Sequence, residues 1–190
     1  MKKTTAQYLD NQFLIAMPNL HDANFSHTVS YLCQHNAEGA LAIVINRPTE
    51  MTLGNIFEQM GIDTSLQQVK EMPVFAGGPV QQERGFIIHN TGSQVWDSSI
   101  VISETTSLTS SRDILEAIAN NEGPKEYLIA LGYAGWGAGQ LEKEIINNAW
   151  LTTPCEPDIL YSTPAQQRWD TAANQIGIDI SQLTTPAGHA

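Results

Sequence analysis

Residues 40–45, Ala-Leu-Ala-Ile-Val-Ile, are apolar without a break, and Asn46-Arg47-Pro48 halts the run at once. A half-solvated strand alternates apolar and polar residues, so an unbroken run suits a strand covered on both faces near the centre of a sheet. Proline lacks the N–H that a ladder needs, which makes Pro48 the end of that pairing. The chain must therefore supply neighbouring strands on both sides and a packed layer on each face.

Candidates for the neighbours flank the run. Residues 13–17 are a short apolar stretch ended by Pro18, and residues 29–33 mix β-branched and aromatic side chains, so both read as strands. The polar segment from His21 to Phe25 is a loop, and Asn36-Ala37-Glu38-Gly39 has the make-up of a hairpin turn. Further short strands are expected at 74–76, 85–89, 100–103 and 127–131, with 159–161 as a last one. Helical spacing appears at Leu53, Ile56, Phe57 and Met60, with Thr52 as N-cap and Gly61 as the stop. A second helix opens at Ser110 or Ser111 and carries Ile114, Leu115, Ile118 and Ala119 as its apolar stripe. A short helix covers 140–148, and an amphipathic one covers 164–177 with Trp169, Ala172, Ala173 and Ile176 on one face. Strands and helices interleave, with no repeat and no long linker. The expected fold class is mixed α/β (α+β), a mixed sheet with flanking helices in a single domain over 1–190.

Charge narrows the function classes. Twenty acidic residues face nine basic ones, for a formal net charge of -11, and Lys2 and Lys3 leave only seven cations beyond the first residues. Phosphate neutralisation supplies much of the affinity of nucleic-acid binders, so this field disfavours DNA, RNA and anionic membranes as partners. The apolar fraction of 42% supports a core without a disulfide or metal staple. Cys33 and Cys155 are far apart with no C-x-x-C, and read as two reduced thiols. No apolar run approaches ~18 residues and no signal-like apolar segment follows the N-terminal lysines, so no membrane is expected and the reading is cytoplasmic.

Several segments are distinctive as a set. They are Phe13-Leu14-Ile15-Ala16-Met17-Pro18, Gly39 through Pro48, Phe75-Ala76-Gly77-Gly78-Pro79-Val80 and Arg84-Gly85-Phe86-Ile87-Ile88-His89. They continue with Ser111-Arg112-Asp113-Ile114-Leu115 and Leu131 through Glu142, then Glu144, Asn148 and Trp150-Leu151. In this order they resemble the YqgE/AlgH family of bacterial proteins, over nearly the whole chain. The resemblance implies an intracellular protein whose branched sheet is curled into a partial barrel, with room for a small second unit inside the domain. It carries a label of transcriptional regulator from genetic association in one branch, which the composition does not support, and it assigns no reaction. The stretch from Thr105 to Ser111 looks longer than the family's usual Thr-Thr-Ser, a departure confined to that loop.

Candidate site residues fall at turns after strands, where ligand sites concentrate. Residues 132–139 read as a glycine-rich loop between a buried strand and a helix. One reading presents its N–H groups, including those of Gly135 and Gly139, to an anion, with Trp136 as a flat wall and Gln140 where a phosphate-loop lysine would stand. The other makes the glycines conformational and packs Trp136 on the core. Arg47 and Arg84 converge on an anion or form structural ion pairs. The Asn46-Arg47 turn and the Gly77-Gly78 turn complete the candidate ligand-binding set, for a small ligand or a protein partner.

His21, Asp22, His27, Cys33 and His35 match no metal-ligand spacing, so neither metal nor cofactor is expected. His89 is a candidate general base without an identifiable Ser or Cys partner. The leading reading is a binding or regulatory module of unknown function. The alternative is an enzyme for a small anionic substrate oriented by Arg47 or Arg84, with His89 or Glu142 as base; direct DNA binding ranks last.

Overall fold

A computed structural model describes residues 8–183. Ten strands alternate with short helices. They are β1 (Gln12–Ala16), β2 (Val29–Asn36), β3 (Gly39–Val44), β4 (Pro48–Thr52), β5 (Pro73–Ala76), β6 (Val80–Asn90), β7 (Ser99–Val101), β8 (Thr106–Thr109), β9 (Tyr127–Gly137) and β10 (Trp150–Pro154). The helices are α1 (Leu53–Met60), α2 (Gln67–Lys70), α3 (Arg112–Ala119), α4 (Gln140–Ile146), α5 (Arg168–Asn174) and α6 (Ile180–Leu183). The main path of the sheet runs β10-β1-β2-β3-β9-β6-β8-β7. All of its pairings are antiparallel except that of β5 with β9. The sheet curls strongly into a half-barrel flanked by helices.

The branch lies on β9. One edge of β9 pairs with β6 from Tyr127 to Tyr133. The other edge pairs first with β5, Val74 to Ala76 against Ile129 to Leu131, and then with β3, Gly39 to Ala42 against Gly137 to Ala134. The apolar run thus lies inside the sheet between β2 and β9, as its composition requires. That strand ends at Val44, earlier than Pro48, which instead opens β4; β4 pairs only with β5 and so tolerates a missing N–H.

Alternation along the strands sorts the side chains between two faces. Phe13, Ile15, Tyr31, Ile43, Phe86, Ile88 and Leu128 point to one core, closed by Ile159, Leu160 and the α5 alanines Ala172 and Ala173. On the opposite face, Ile87 and Ile129 pack under α1 and α3, while Leu14, Leu32, Ala134 and Trp136 pack with Leu141 of α4 and with Trp150. Thr52 and Gly61 bound α1 and Ser111 caps α3, as their sequence signals indicate. Residues 158–162 form one turn of π-helix and not a last strand; β10 is the last strand. Both cysteines are free thiols, and burial pushes Cys155 up to about 12 and raises Cys33 as well. Among the described residues no helix is long and apolar enough to cross a membrane.

Arg168 at the head of α5 is 5% exposed. Its Nε donates to the Thr163 carbonyl at 2.9 Å, its Nη1 donates to the Ile45 carbonyl, and its guanidinium lies 5.1 Å from the centre of the Phe75 ring. Among the described residues it has no carboxylate partner, and burial lowers its pKa to about 10. The arginine fork joins the C-terminal helices to the end of the apolar run. Arg168→Met is expected to lower the unfolding free energy by about 2–4 kcal/mol, because the buried Ile45 carbonyl and the half-buried Thr163 carbonyl lose their donors. Arg168→Lys recovers little, since a point charge does not reproduce the fork and the ring stacking; urea unfolding of the three proteins checks both.

Candidate functional site

Asn46 and Arg47 turn back toward the long connection between β1 and β2 and hold it. The Asn46 amide oxygen accepts from the Val29 N–H at 3.0 Å, and its Nδ2 donates to the His27 carbonyl at 2.9 Å. Arg47 Nη1 donates to the carbonyls of Ala23 and Asn24 at 3.0 and 2.6 Å, and Nη2 donates to that of Ser26 at 2.8 Å. A guanidinium has five N–H donors, so three are engaged and two remain. Among the described residues Arg47 has no carboxylate within 4 Å.

The Gly77-Gly78 turn meets this one. Val44 N–H donates to the Gly77 carbonyl and Ala76 N–H to the Arg47 carbonyl, both at 2.8 Å. Here the chain leaves β5 and crosses β9 closely: a Cβ on Gly77 would lie 2.3 Å from the Gly132 carbonyl oxygen, and one on Gly78 2.1 Å from the Tyr133 carbonyl carbon. Only glycine fits such an approach. Between the two turns is a hollow of about 300 Å³ lined by Asn24, Arg47, Thr49, Gly78, Gln82 and Leu131. Gln82 and Leu131 also line a second cleft of about 570 Å³ between α1, α3 and strands β6 and β9. Its floor is apolar, with Met51, Ile56, Ile87, Leu115 and Ile129, and its rim carries Gln59, Glu83, Ser110 and Arg112.

The other expected site residues lie elsewhere. Arg84 is exposed, with Nη1 on Gln81 Oε1 at 3.3 Å, Nη2 on Ser110 Oγ at 3.1 Å, and its guanidinium 5.1 Å from the centre of the Phe86 ring. The expected loop at 132–139 is a correction: β9 continues through it to Gly137. Gly135 and Trp136 therefore belong to a strand, with Trp136 turned inward and 6% exposed. Its ring packs on Phe25 and Trp150 at 6.0 and 5.8 Å between centres. Gly139 is the left-handed N-cap of α4, and Gln140 folds back to accept the Gly137 N–H at 3.0 Å. Glu144 Oε2 accepts both indole N–H groups, from Trp136 at 2.8 Å and Trp150 at 2.9 Å, while Gln140 Nε2 donates to Oε1 at 3.0 Å. A carboxylate stands where an anion would have to bind.

His89 has partners that the sequence did not reveal. Its Nδ1 faces the Asn90 carbonyl at 3.0 Å, which requires Nδ1–H, so Nε2 accepts from the Thr109 hydroxyl at 2.8 Å. The Ser99 hydroxyl then donates to Thr109 at 2.6 Å. Both ring nitrogens are engaged, and desolvation lowers the pKa of the ring. Arg84 lies five residues back on β6, about 17 Å away along the strand and on its other face, too far to share a small substrate. Glu142 is engaged with the buried His35 at 3.1 Å; hydrogen bonds from its own backbone N–H and from His35 hold its carboxyl below the usual range. His27 meets Trp169 edge to face, 4.6 Å between ring centres, and Asp22 caps the Asn24 N–H. The histidine-rich stretch does not converge, and no metal-binding group of His, Cys, Asp and Glu occurs among the described residues.

A family model described as AlgH-like matches residues 13–181. The chain belongs to the AlgH-like family. A relative named as a UPF0301 protein, from Thioalkalivibrio sulfidiphilus, is 54% identical over 98% of this chain and 100% of its own length. Another from Methylococcus capsulatus is 54% identical over 97% of each. The solution structure of the AlgH protein from Pseudomonas aeruginosa covers 100% of both chains at 43% identity, with a TM-score of 0.79. A crystal structure from Corynebacterium diphtheriae shares the fold at 17% identity, with a TM-score of 0.73 over 94% of this chain and 93% of its own. None of these names specifies a reaction.

Two outcomes follow for this AlgH-like chain. Glu144→Ala is expected to cost about 2–4 kcal/mol, because two buried indole N–H groups lose their acceptor. Glu144→Gln, whose amide oxygen still accepts both, should cost less than about 1 kcal/mol; denaturant unfolding followed by tryptophan fluorescence separates the two. For His89 the folded ring prefers to be neutral. Its contribution is therefore complete above the ordinary value of 6.5 and is lost as pH falls below it, where the unfolded chain binds the proton first. His89→Gln should shrink the stability lost between pH 7 and pH 5, measured by urea unfolding at both.

Proposed function

We propose that the chain is a binding module for a small amphipathic anion, whose head group sits beside Arg47 and whose apolar body lies in the cleft between α1 and α3. One observation carries the reading: the two hollows adjoin through Gln82 and Leu131, so an apolar floor and an uncompensated cation belong to one continuous surface. Ligand sites typically combine an apolar lining with a few fixed polar groups. The three carbonyl contacts fix the Arg47 guanidinium in advance and leave two N–H groups to offer, which reduces the ordering a ligand would have to impose. In a chain of net charge -11, a cation without an acidic partner leaves a local positive charge that favours an anion there. The protonated, largely buried thiols suit a reducing, cytoplasmic setting. The expected site thus divides. Asn46, Arg47, Gly77 and Gly78 support this reading, whereas Gly135, Trp136, Gly139 and Gln140 belong to the packing of β9 and α4.

The test is a thermal-shift series with medium-chain carboxylates and alkyl phosphates. A ligand at ~100-fold over its Kd should stabilise the fold by about 2.7 kcal/mol. Gln82→Trp alters an exposed side chain and obstructs the junction, so it should abolish the shift while leaving the ligand-free Tm unchanged. If no anionic amphiphile moves the Tm, or if Gln82→Trp leaves the shift intact, the reading is wrong.

A further inference from the structure

The sheet ends in three edges. β10 carries Pro154 and β4 carries Pro48, and a terminal proline blunts an edge against further pairing. β7 has no proline, and it carries two of the eight large apolar side chains exposed among the described residues, Ile100 at 54% and Val101 at 69%. Val95, at 86%, lies four residues before Ser99.

The register shows which backbone groups are free. Ile100 faces Leu108 on β8, and bonds on either side join Ser110 N–H to the Ser98 carbonyl and Ile102 N–H to the Thr106 carbonyl, each at 3.0 Å. Residues 98, 100 and 102 therefore turn their backbone groups inward to β8. Ser99 and Val101 turn theirs outward, because antiparallel pairs alternate in this way. Neither residue's N–H or C=O has a partner among the described residues. The strand is also held rigid: the Ser99 hydroxyl is anchored on Thr109, which is anchored on His89. Asp97 and Glu104 bracket the edge, both exposed and neither with a cation within 4 Å among the described residues.

We propose that β7 accepts an extended, basic segment of a partner protein as an added antiparallel strand. The outward N–H and C=O groups of Ser99 and Val101 supply four main-chain hydrogen bonds. Ile100 and Val101, on opposite faces, take apolar side chains of the incoming strand. Asp97 and Glu104 select lysine or arginine at its two ends. Charge is what disfavours a second copy of this chain as the occupant. Pairing two β7 strands about Ile100 sets Asp97 opposite Ser103 of the other copy, beside that copy's Glu104, and adds to the repulsion between two molecules of net charge -11. This edge is independent of the cleft beside Arg47.

The probe is a synthetic peptide, acetyl-Lys-Thr-Val-Thr-Val-Lys-amide, titrated into the full-length protein and followed by amide NMR. The expected result is saturable shifts centred on the Ser99 and Val101 amides, with slowed hydrogen exchange at both. The same peptide N-methylated at its alternate amides should bind at least ~10-fold more weakly, because main-chain bonds carry the affinity. Ile100→Ser should weaken the parent peptide with no change in the free protein's Tm, and an all-glutamate version of the peptide should not bind. Equal binding of the N-methylated peptide, or shifts centred elsewhere, overturns the proposal. So does a concentration-dependent shift of Ser99 and Val101 without peptide, which would make a second copy the occupant.

Discussion

Everything in this fold hangs on the eleven residues of β9, which must satisfy three partner strands with two edges. An edge can serve two partners only if one ends where the other begins, and Gly77 is that point. Its N–H reaches the Leu131 carbonyl, while its own carbonyl takes the Val44 N–H. The glycines there are a consequence of this geometry, because any side chain would drive β5 off β9. Once the branch is fixed, the hollow between the Arg47 and Gly78 turns follows, as does the cleft beneath α1 and α3. The candidate site lies beside the place where the sheet divides.

Three groups of polar side chains pack as short closed sets, while the buried Ser30 and Tyr161 hydroxyls stand outside them without a hydrogen-bond partner among the described residues. His89, Thr109 and Ser99 form one, Glu144 with two indoles and Gln140 another, and Arg168 with two carbonyls and a ring a third. In each the buried polar groups find partners within the set, which makes their burial tolerable. The same closure argues against reading them as catalytic: a base with both nitrogens engaged and a lowered pKa is poorly placed to take a substrate proton.

Much of this was legible in the residues. The unbroken run at 40–45 fixed a central strand, and the caps of α1 and α3 were marked by Thr52, Gly61 and Ser111. The branched half-barrel was reached through family resemblance, since no local pattern encodes a branch. Three strands were missed for physical reasons. β4 begins with a proline, β8 is written in threonine and serine that imitate a loop, and β10 is half polar. The glycine-rich stretch misled in the opposite sense, although Tyr-Ala-Gly-Trp-Gly alternates outward and inward with a strand's period of two. Of the residues that line the hollow, Arg47 and Gly78 were singled out because cations and glycines are conspicuous. Gln82 and Leu131, which join the two hollows, carry no local signal, and neither does the pairing of His89 with Thr109, which depends on strand register.

Two cations of this acidic chain are held without a counter-charge among the described residues. Arg47 and Arg168 are bound by backbone carbonyls and an aromatic face, not by carboxylates. Dissolved ions weaken attraction between exposed opposite charges within about 8–10 Å of screening length, yet have little hold on a guanidinium clasped directly by fixed dipoles. The loop between β1 and β2, and the seat of α5 on the sheet, are consequently insulated from ionic strength. High salt also relaxes the repulsion among twenty acidic side chains. Brine should tighten this molecule where it would loosen one stapled by ion pairs.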